Sequence, residues 1–226
     1  KRYYVSLPEL MKEHFLRGKR NFVVAGTHGK TTTTSLLAWL FEHAGANPSF
    51  MIGGSPRNMG RGGRFTESEI SVIEGDEYDT AFFDKRSKFL HYLPEVAIIN
   101  NIEFDHADIY ESLEQIKLSF RRLLLLVPRN GLALVNGDDP NCLDVAAAAP
   151  VSVKTVGFGE RCELRIQGVS YDQDGSEFEL EGRRFRIPMI GEFNVRNASM
   201  AVAAARFGGL DDETIQRGFD AWQGIA

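Results

Sequence analysis

Short apolar runs alternate with segments of helical period along the first two-thirds of the chain. The runs are typical of buried strands and cover residues 22–25, 49–52, 70–73, 96–99, 132–135 and 153–156. Helices are predicted between them at residues 6–17, 31–43, 112–126 and 139–149, the third opening on the capping-box sequence Ser112-Leu113-Glu114-Gln115. Strands that alternate with helices indicate a parallel sheet with helices on both faces.

The period changes after Phe158. Residues 162–169, 176–180 and 183–187 alternate between apolar and polar side chains, and glycine-containing turns separate them. Two further helices are predicted at residues 194–207 and 211–222. The expected fold class is therefore α/β: a mostly parallel sheet of the P-loop type, flanked by helices, with a small antiparallel sheet attached near the C-terminal third.

The first predicted strand runs directly into a glycine turn and then into a helix. The turn reads Gly26-Thr27-His28-Gly29-Lys30-Thr31-Thr32. Backbone N–H groups at a helix start are unpaired and lie at the positive end of the helix dipole, and glycines let the main chain approach phosphate oxygens. Lys30 is then placed to reach the β- and γ-phosphates of a nucleotide, and the Thr31 hydroxyl to bind Mg²⁺. The turn is more compact than the general P-loop, because Val24 stands where the first glycine is usual; an accidental glycine turn is the alternative.

Composition restricts the partners of such a site. The net charge is −5, from 26 basic and 31 acidic residues, which gives no indication of general affinity for nucleic acid or membranes. No apolar stretch reaches the roughly 18–20 residues of a membrane span, and no secretion signal is recognisable after Lys1. Cys142 and Cys162 show no metal-ligand spacing, and a disulfide framework is not expected. We expect a reducing, cytoplasmic setting.

Further polar groups follow other predicted strands. Glu74 opens an acidic stretch after residues 70–73, and His106 ends the sequence Asn101-Ile102-Glu103-Phe104-Asp105-His106 after residues 96–99. The carboxyl ends of parallel strands meet at one edge of a sheet, and Mg²⁺ selects oxygen ligands. Glu74 is therefore the expected metal ligand, with the other acidic residues structural, and His106 a metal or phosphate contact. The alternatives are a solvated acidic loop and an ordinary surface or core histidine.

Two asparagine-containing segments come later in the chain. Residues 136–140 are expected to form a turn and a helix cap. Asn194 and Asn197 lie three residues apart at a helix start, so one face would carry both amides and suit an adenine edge; helix capping by Asn194 is the alternative.

These motifs occur in the order found in Mur ligases, and the chain resembles the central ATPase domain of that family over essentially its whole length. The resemblance implies ATP and Mg²⁺ as cofactors. It implies phosphate contacts from residues 26–32, metal ligation by Thr31, Glu74 and His106, catalytic roles for Lys30, Glu74 and His106, and adenine contacts from Asn194 and Asn197. Several family members use a carbamylated lysine beyond the histidine. Lys117 is the nearby lysine, but its spacing is shorter and the role is not transferred to it.

Within the family, residues 52–58, 74–92 and 100–108 most resemble the branch that joins recycled L-alanyl-γ-D-glutamyl-meso-diaminopimelate to UDP-N-acetylmuramate. The branch that adds L-alanine to UDP-N-acetylmuramate shares the phosphate turn but typically lacks residues 84–89, Asp-Lys-Arg-Ser-Lys-Phe. Lys85, Arg86 and Lys88 are candidates to receive an anionic substrate, and a solvated basic loop explains them equally well.

The family has three domains, and residues 1–226 resemble the middle one. We therefore expect the uridine-binding and amine-binding domains of the intact enzyme to be missing from this chain and to be its partners, and the chain alone to be inactive. Two other interpretations stay open: a nucleotide-binding module or switch without ligase activity, and a stable but inactive structural domain.

Overall fold

The computed structural model describes residues 4–104, 110 and 112–226. Within these residues the strands form one large sheet and a separate hairpin. The strands of the large sheet are β1 (Arg20–Ala25), β2 (Ser49–Met51), β3 (Gly63–Arg64), β4 (Ile70–Gly75), β7 (Pro94–Ile99), β8 (Leu132–Asn136), β9 (Ser152–Gly157), β10 (Leu164–Tyr171), β11 (Ser176–Leu180) and β12 (Arg183–Ile187), and those of the hairpin are β5 (Asp79–Ala81) and β6 (Asp84–Ser87).

Helices connect most of these strands. They are α1 (Leu7–Met11), α2 (Lys30–His43), α3 (Leu113–Leu125), α4 (Pro140–Ala146), α5 (Glu192–Phe207) and α6 (Asp212–Asp220). α1 continues as a π-helical segment, Lys12–Leu16, and a 3₁₀ turn, Lys88–His91, precedes β7. No helix in the described residues is both long enough and apolar enough to cross a bilayer.

The large sheet has the order β12-β11-β10-β9-β8-β7-β1-β4-β2-β3 in the described part of the chain. Across the sheet in this order, every neighbouring pair from β10 to β2 is parallel. At the two edges the pairing is antiparallel: β3 pairs with β2, and β11 pairs with both β10 and β12. The predicted fold class is thereby confirmed. The antiparallel strands expected as an attached sheet are continuous with the main one, because β10 pairs with β9 at Leu164–Val156 and Arg165–Gly157. β3 and the β5–β6 hairpin were not predicted.

The sheet has a core on each face. In β1, Phe22 and Val24 pack with α2, α5 and α6, whereas Val23 and Ala25 pack with α1, α3 and α4, and all four are fully buried. Successive strand residues point to opposite faces, so a strand covered on both sides is apolar at every position. This is why β1 reads as an unbroken apolar run in the sequence.

Side-chain hydrogen bonds cap the N-termini of some of the helices but not of others. Ser6 and Glu9 form a capping box at α1, and Asp139 caps α4 through its carboxylate. Ser112 occupies the N-cap of α3 as predicted, but its side chain makes no capping hydrogen bond, so the predicted capping box is wrong. Gly191 occupies the N-cap of α5.

Candidate nucleotide and metal site

The glycine turn lies at the carboxyl end of β1 and leads into α2. Gly26 and Gly29 have φ of 134° and 79°, which favour glycine. A Cβ at Gly26 would lie 3.0 Å from the carbonyl oxygen of Asn101, and one at Gly29 would lie 2.5 Å from Oδ1 of Asn197. Gly29 is the N-cap of α2 and no side chain caps this helix. The N–H groups of its first turn therefore remain available to an anion.

The loop after β7 holds the glycine turn in shape. The Thr27 N–H donates to the carbonyl oxygen of Asn101 at 3.1 Å, and the His28 N–H donates to Oδ1 of Asn101 at 2.7 Å. Nδ2 of Asn101 donates back to the carbonyl oxygen of His28 at 3.2 Å, and the Glu103 N–H donates to the Thr27 hydroxyl at 2.9 Å. His28 itself is exposed. The sequence predicted that residues 101–106 would lie near the turn, but not that Asn101 braces it.

The segment after β8 supports that brace. Nδ2 of Asn136 donates to the carbonyl oxygen of Asn100 at 3.0 Å, and Oδ2 of Asp139 accepts from the Ile102 N–H at 2.7 Å. The other oxygen of Asp139 accepts from the Asn141 N–H at 2.8 Å. The predicted turn and helix cap are therefore confirmed, and the same carboxylate also fixes the loop after β7.

Lys30 lies over the turn in a buried ion pair that the sequence did not predict. Its Nζ donates to the carbonyl oxygen of Gly26 at 2.6 Å and to Oε2 of Glu77 at 3.0 Å, with a longer contact of 3.4 Å to the Thr27 carbonyl oxygen. The side chains of Lys30 and Glu77 are 11% and 4% exposed. Glu77 was expected to be structural. The one available signal was its place three residues beyond Glu74 in the acidic stretch.

Thr31 and Glu74 are brought together as predicted for a metal site. The Thr31 hydroxyl donates to Oε1 of Glu74 at 2.9 Å, and the Gly53 N–H donates to Oε2 of Glu74 at 2.7 Å. A hydroxyl and a carboxylate side by side form the oxygen donor set that Mg²⁺ selects, so these residues fit the ion. His106, the third predicted ligand, lies outside the described residues.

The two asparagines of α5 occupy different surroundings. Asn197 is 8% exposed and its Oδ1 lies against Gly29, on the phosphate turn. Asn194 is partly exposed, and its Nδ2 donates to the carbonyl oxygen of Ile190 at 2.9 Å. Because Gly191 is the N-cap, the alternative of capping by Asn194 is wrong. Contact of either amide with adenine stays a prediction.

A cavity of about 250 Å³ opens between the loops after β7 and β8 and the first turn of α5. Its lining includes Asn101, Asp138, Phe193 and Arg196. Burial raises the pKa of the Asp138 carboxyl, but two backbone N–H groups and the Arg196 guanidinium outweigh it and leave that pKa below its ordinary value. Asp138 is thus held as an anion at the edge of the cavity.

The basic residues of the hairpin segment are paired within the segment itself. Nζ of Lys85 lies 2.7 Å from Asp79, the Arg86 guanidinium lies 2.7 Å from Asp84, and Nζ of Lys88 lies 3.3 Å from Asp76, each distance being to a carboxylate oxygen. Residues 85–88 therefore carry local ion pairs, which favours a solvated basic loop over an anion receptor.

Lys117 is likewise committed to ion pairs. Its Nζ lies 3.0 Å from Oδ2 of Asp144 and 3.2 Å from Oε1 of Glu114. Hydrogen bonding to Asp144, and then to Glu114, raises the pKa of Lys117. Carbamylation needs the neutral amine, and a raised pKa disfavours that form. The environment of Lys117 therefore does not favour the carbamylated-lysine role.

Comparison with known proteins supports the family named by the motifs. Residues 24–205 match the Mur ligase middle domain. The UDP-N-acetylmuramate–L-alanyl-γ-D-glutamyl-meso-2,6-diaminoheptandioate ligase of Escherichia coli (strain K12) is 40% identical over 210 residues, covering 92% of this chain and 46% of that protein. The UDP-N-acetylmuramate–L-alanine ligase of Variovorax paradoxus (strain S110) is 34% identical over 236 residues, covering 100% of this chain and 47% of that one. The chain thus spans about half the length of the curated relatives it matches.

Solved structures show the same fold. The UDP-N-acetylmuramate:L-alanyl-γ-D-glutamyl-meso-diaminopimelate ligase from Neisseria meningitides superposes with a TM-score of 0.90 at 38% identity, covering 99% of this chain and 72% of that one. A murein peptide ligase from Psychrobacter arcticus 273-4 gives 0.83 at 31% identity, with coverage of 98% and 51%. From its phosphate turn to its paired asparagines, the chain belongs to the Mur ligase family.

Proposed function

We propose that this chain is the ATP-binding domain of an ATP-dependent amide ligase. The observation that carries the proposal is the convergence of Lys30, Thr31 and Glu74 at one sheet edge, although they belong to the carboxyl ends of two different strands, β1 and β4. The uncapped N–H groups of α2 and the Lys30 ammonium would bind the phosphates, and Thr31 and Glu74 would hold Mg²⁺. His106 is proposed as a further metal contact, and Asn194 and Asn197 as adenine contacts.

The proposed reaction has two steps in the intact enzyme. A carboxylate oxygen of UDP-N-acetylmuramate attacks the γ-phosphorus of ATP, which gives an acyl phosphate and ADP. The peptide amine then attacks the acyl carbon, forms the amide bond, and releases phosphate with loss of a proton. Phosphoryl transfer needs mainly positioning and charge neutralisation. Lys30 supplies a positive charge for this, and Mg²⁺ bound at Thr31 and Glu74 would supply more.

The amine substrate is proposed to be the murein tripeptide L-alanyl-γ-D-glutamyl-meso-diaminopimelate, in peptidoglycan recycling in the cytoplasm. Two relatives named for this tripeptide are 40% and 38% identical to the chain, against 34% for a relative named for L-alanine. Addition of L-alanine is the second candidate. The partners would be these small molecules and the uridine- and amine-binding domains that the family resemblance implies; the net charge of −5 gives no support for nucleic acid.

ADP release by the full-length parent protein separates these candidates. It is measured with UDP-N-acetylmuramate plus the tripeptide and, in parallel, with UDP-N-acetylmuramate plus L-alanine. Turnover with the tripeptide only is the expected result. Turnover with L-alanine only would replace the proposed amine, and ADP release indifferent to UDP-N-acetylmuramate would leave a nucleotide-binding module without ligase activity.

A further inference from the structure

The Lys30 ammonium group has an unequal set of three acceptor groups. Those three groups are the Gly26 carbonyl at 2.6 Å, the Glu77 carboxylate at 3.0 Å through Oε2 and 3.4 Å through Oε1, and the Thr27 carbonyl at 3.4 Å. An ammonium group has three N–H donors. Two of them are therefore firmly engaged, and the third makes the weakest contact.

Glu77 is buried, and its main chain is bonded to a core tyrosine. The residue is 3% exposed, and its backbone oxygen accepts from the Tyr110 hydroxyl at 2.5 Å. The same hydroxyl lies 3.0 Å from Oγ of Ser87 at the end of β6. The main chain at Glu77 is thus held by a core tyrosine, whose hydroxyl also contacts the hairpin, and this places the start of the Glu77 side chain.

This geometry is costly for a site that binds phosphate. Bringing a triphosphate to Lys30 places another anion near the Glu77 carboxylate, and like charges repel strongly where water is excluded. If the carboxylate served only to fill space, an uncharged residue would favour nucleotide binding. A role in aiming the lysine accounts for retaining the charge.

We propose that Glu77 is a positioning residue for Lys30, an inference that rests on the proposed nucleotide-binding function. Glu77 and the Gly26 carbonyl oxygen anchor two donors of the ammonium group, and the third donor exchanges the long Thr27 contact for a phosphate oxygen. The carboxylate lowers the affinity for ATP through repulsion and raises the rate of phosphoryl transfer by keeping the ammonium group aimed.

The test is Glu77→Gln in the full-length parent protein, because glutamine keeps the size and one acceptor oxygen but removes the charge. We expect kcat for tripeptide-dependent ADP release to fall about tenfold, since a charge-assisted hydrogen bond becomes a neutral one. The dissociation constant of Mg²⁺ with a non-hydrolysable ATP analogue, measured by calorimetry, should stay the same or decrease several-fold. A merely structural role predicts weaker binding instead.

Asp76→Asn is the matched control, because Asp76 pairs with Lys88 on the surface of the same segment and not with Lys30. It should leave both quantities unchanged. Glu77→Asp keeps the charge but shortens the reach, so its kcat should lie between wild type and Glu77→Gln; it also serves if Glu77→Gln does not fold. An unchanged kcat in the Glu77 variants, or weaker analogue binding by folded Glu77→Gln, would overturn the inference. Failure of the wild-type protein to bind the analogue would instead remove the proposed function itself.

Discussion

The hydroxyl of Thr31 lies 2.9 Å from a carboxylate oxygen of Glu74, although 43 residues separate them in the chain. The contact follows from strand pairing. β1 and β4 are parallel neighbours with Val24 opposite Glu74, so the end of β4 lies at the same edge as the turn that follows β1. A hydroxyl and a carboxylate, oxygen groups of the kind that Mg²⁺ selects, are thereby placed together.

Glu74→Gln should remove the Mg²⁺ dependence of ATP binding. The amide has nearly the same size, but it lacks the charge that a hard cation requires. We expect the affinity for ATP in Mg²⁺ to fall by about tenfold or more, and to differ little from the affinity in EDTA. Calorimetric titration in both buffers measures this, with Asp76→Asn as the control. A variant that still binds ATP more tightly in Mg²⁺ would contradict the metal assignment.

Lys30→Ala should abolish ATP binding and should also lower stability. Removing the ammonium group breaks the buried ion pair with Glu77, and removal of one partner of such a pair typically costs about 3 kcal/mol. The double variant Lys30→Ala with Glu77→Gln also removes the negative charge of residue 77. It should therefore regain most of the lost stability without regaining ATP binding. Urea denaturation and an ATP titration measure the two effects separately. Unchanged ATP affinity in Lys30→Ala would refute the phosphate role.

Gly29→Ala should be more damaging than Gly45→Ala. Both glycines have φ near 80°, so each substitution carries the strain of a left-handed backbone, about 1 kcal/mol. A Cβ at Gly29 would also collide with Asn197, whereas one at Gly45 would meet nothing within 4 Å. The difference in the free energy of unfolding measures the close approach of Asn197 in α5, with a smaller share from Asn100 after β7, to the turn. Equal losses of unfolding free energy in the two variants would mean that the Asn197 side chain can move away from the new Cβ without destabilising the fold.

His91 should make stability depend on pH below about 6.5, the ordinary pKa of histidine. The residue is 2% exposed; burial, and then the nearby Arg86 guanidinium, lower its pKa despite a 3.0 Å contact with Asp84. As the pH falls through 6.5, the unfolded chain takes up a proton that the folded protein does not, so the free energy of unfolding decreases. Above that pH this contribution is fully retained.

Urea denaturation between pH 7.5 and 5.5 measures the effect. His91→Gln should flatten the slope by up to about 1.4 kcal/mol per pH unit, whatever its effect on stability at neutral pH. His43→Gln is the control, because His43 is exposed. An identical slope in wild type and His91→Gln would contradict the assignment.

Periodicity sufficed for most of the framework because parallel strands buried on both faces are continuously apolar, as in Phe22 to Ala25. The β5–β6 hairpin escaped prediction because it is polar and carries Phe82 and Phe83 on its exposed tip. Its stabilising contact, from Ser87 to Tyr110, joins distant parts of the chain and leaves no local pattern.

The site was predictable where topology alone determines position. Glu74 lies at the carboxyl end of β4, the strand beside β1, and therefore had to lie near the phosphate turn. Glu77 and Asp76 are chemically alike in the sequence, and only tertiary packing directs one to Lys30 and the other to Lys88. The helical spacing of Asn194 and Asn197 suggested one shared face, but the approach of α5 to Gly29 separates their surroundings.

The cross-bracing of the loops at this edge has a consequence for exchanging segments between relatives. Asn101 is hydrogen-bonded to the turn after β1, and Tyr110 to the backbone of Glu77. Asn136 and Asp139 are hydrogen-bonded to Asn100 and Ile102, the residues on either side of Asn101. A chimaera that replaces one of these loops alone would leave polar groups in the neighbouring loops without their hydrogen-bond partners. The loops that follow β1, β4, β7 and β8 are therefore best exchanged together, as one graft.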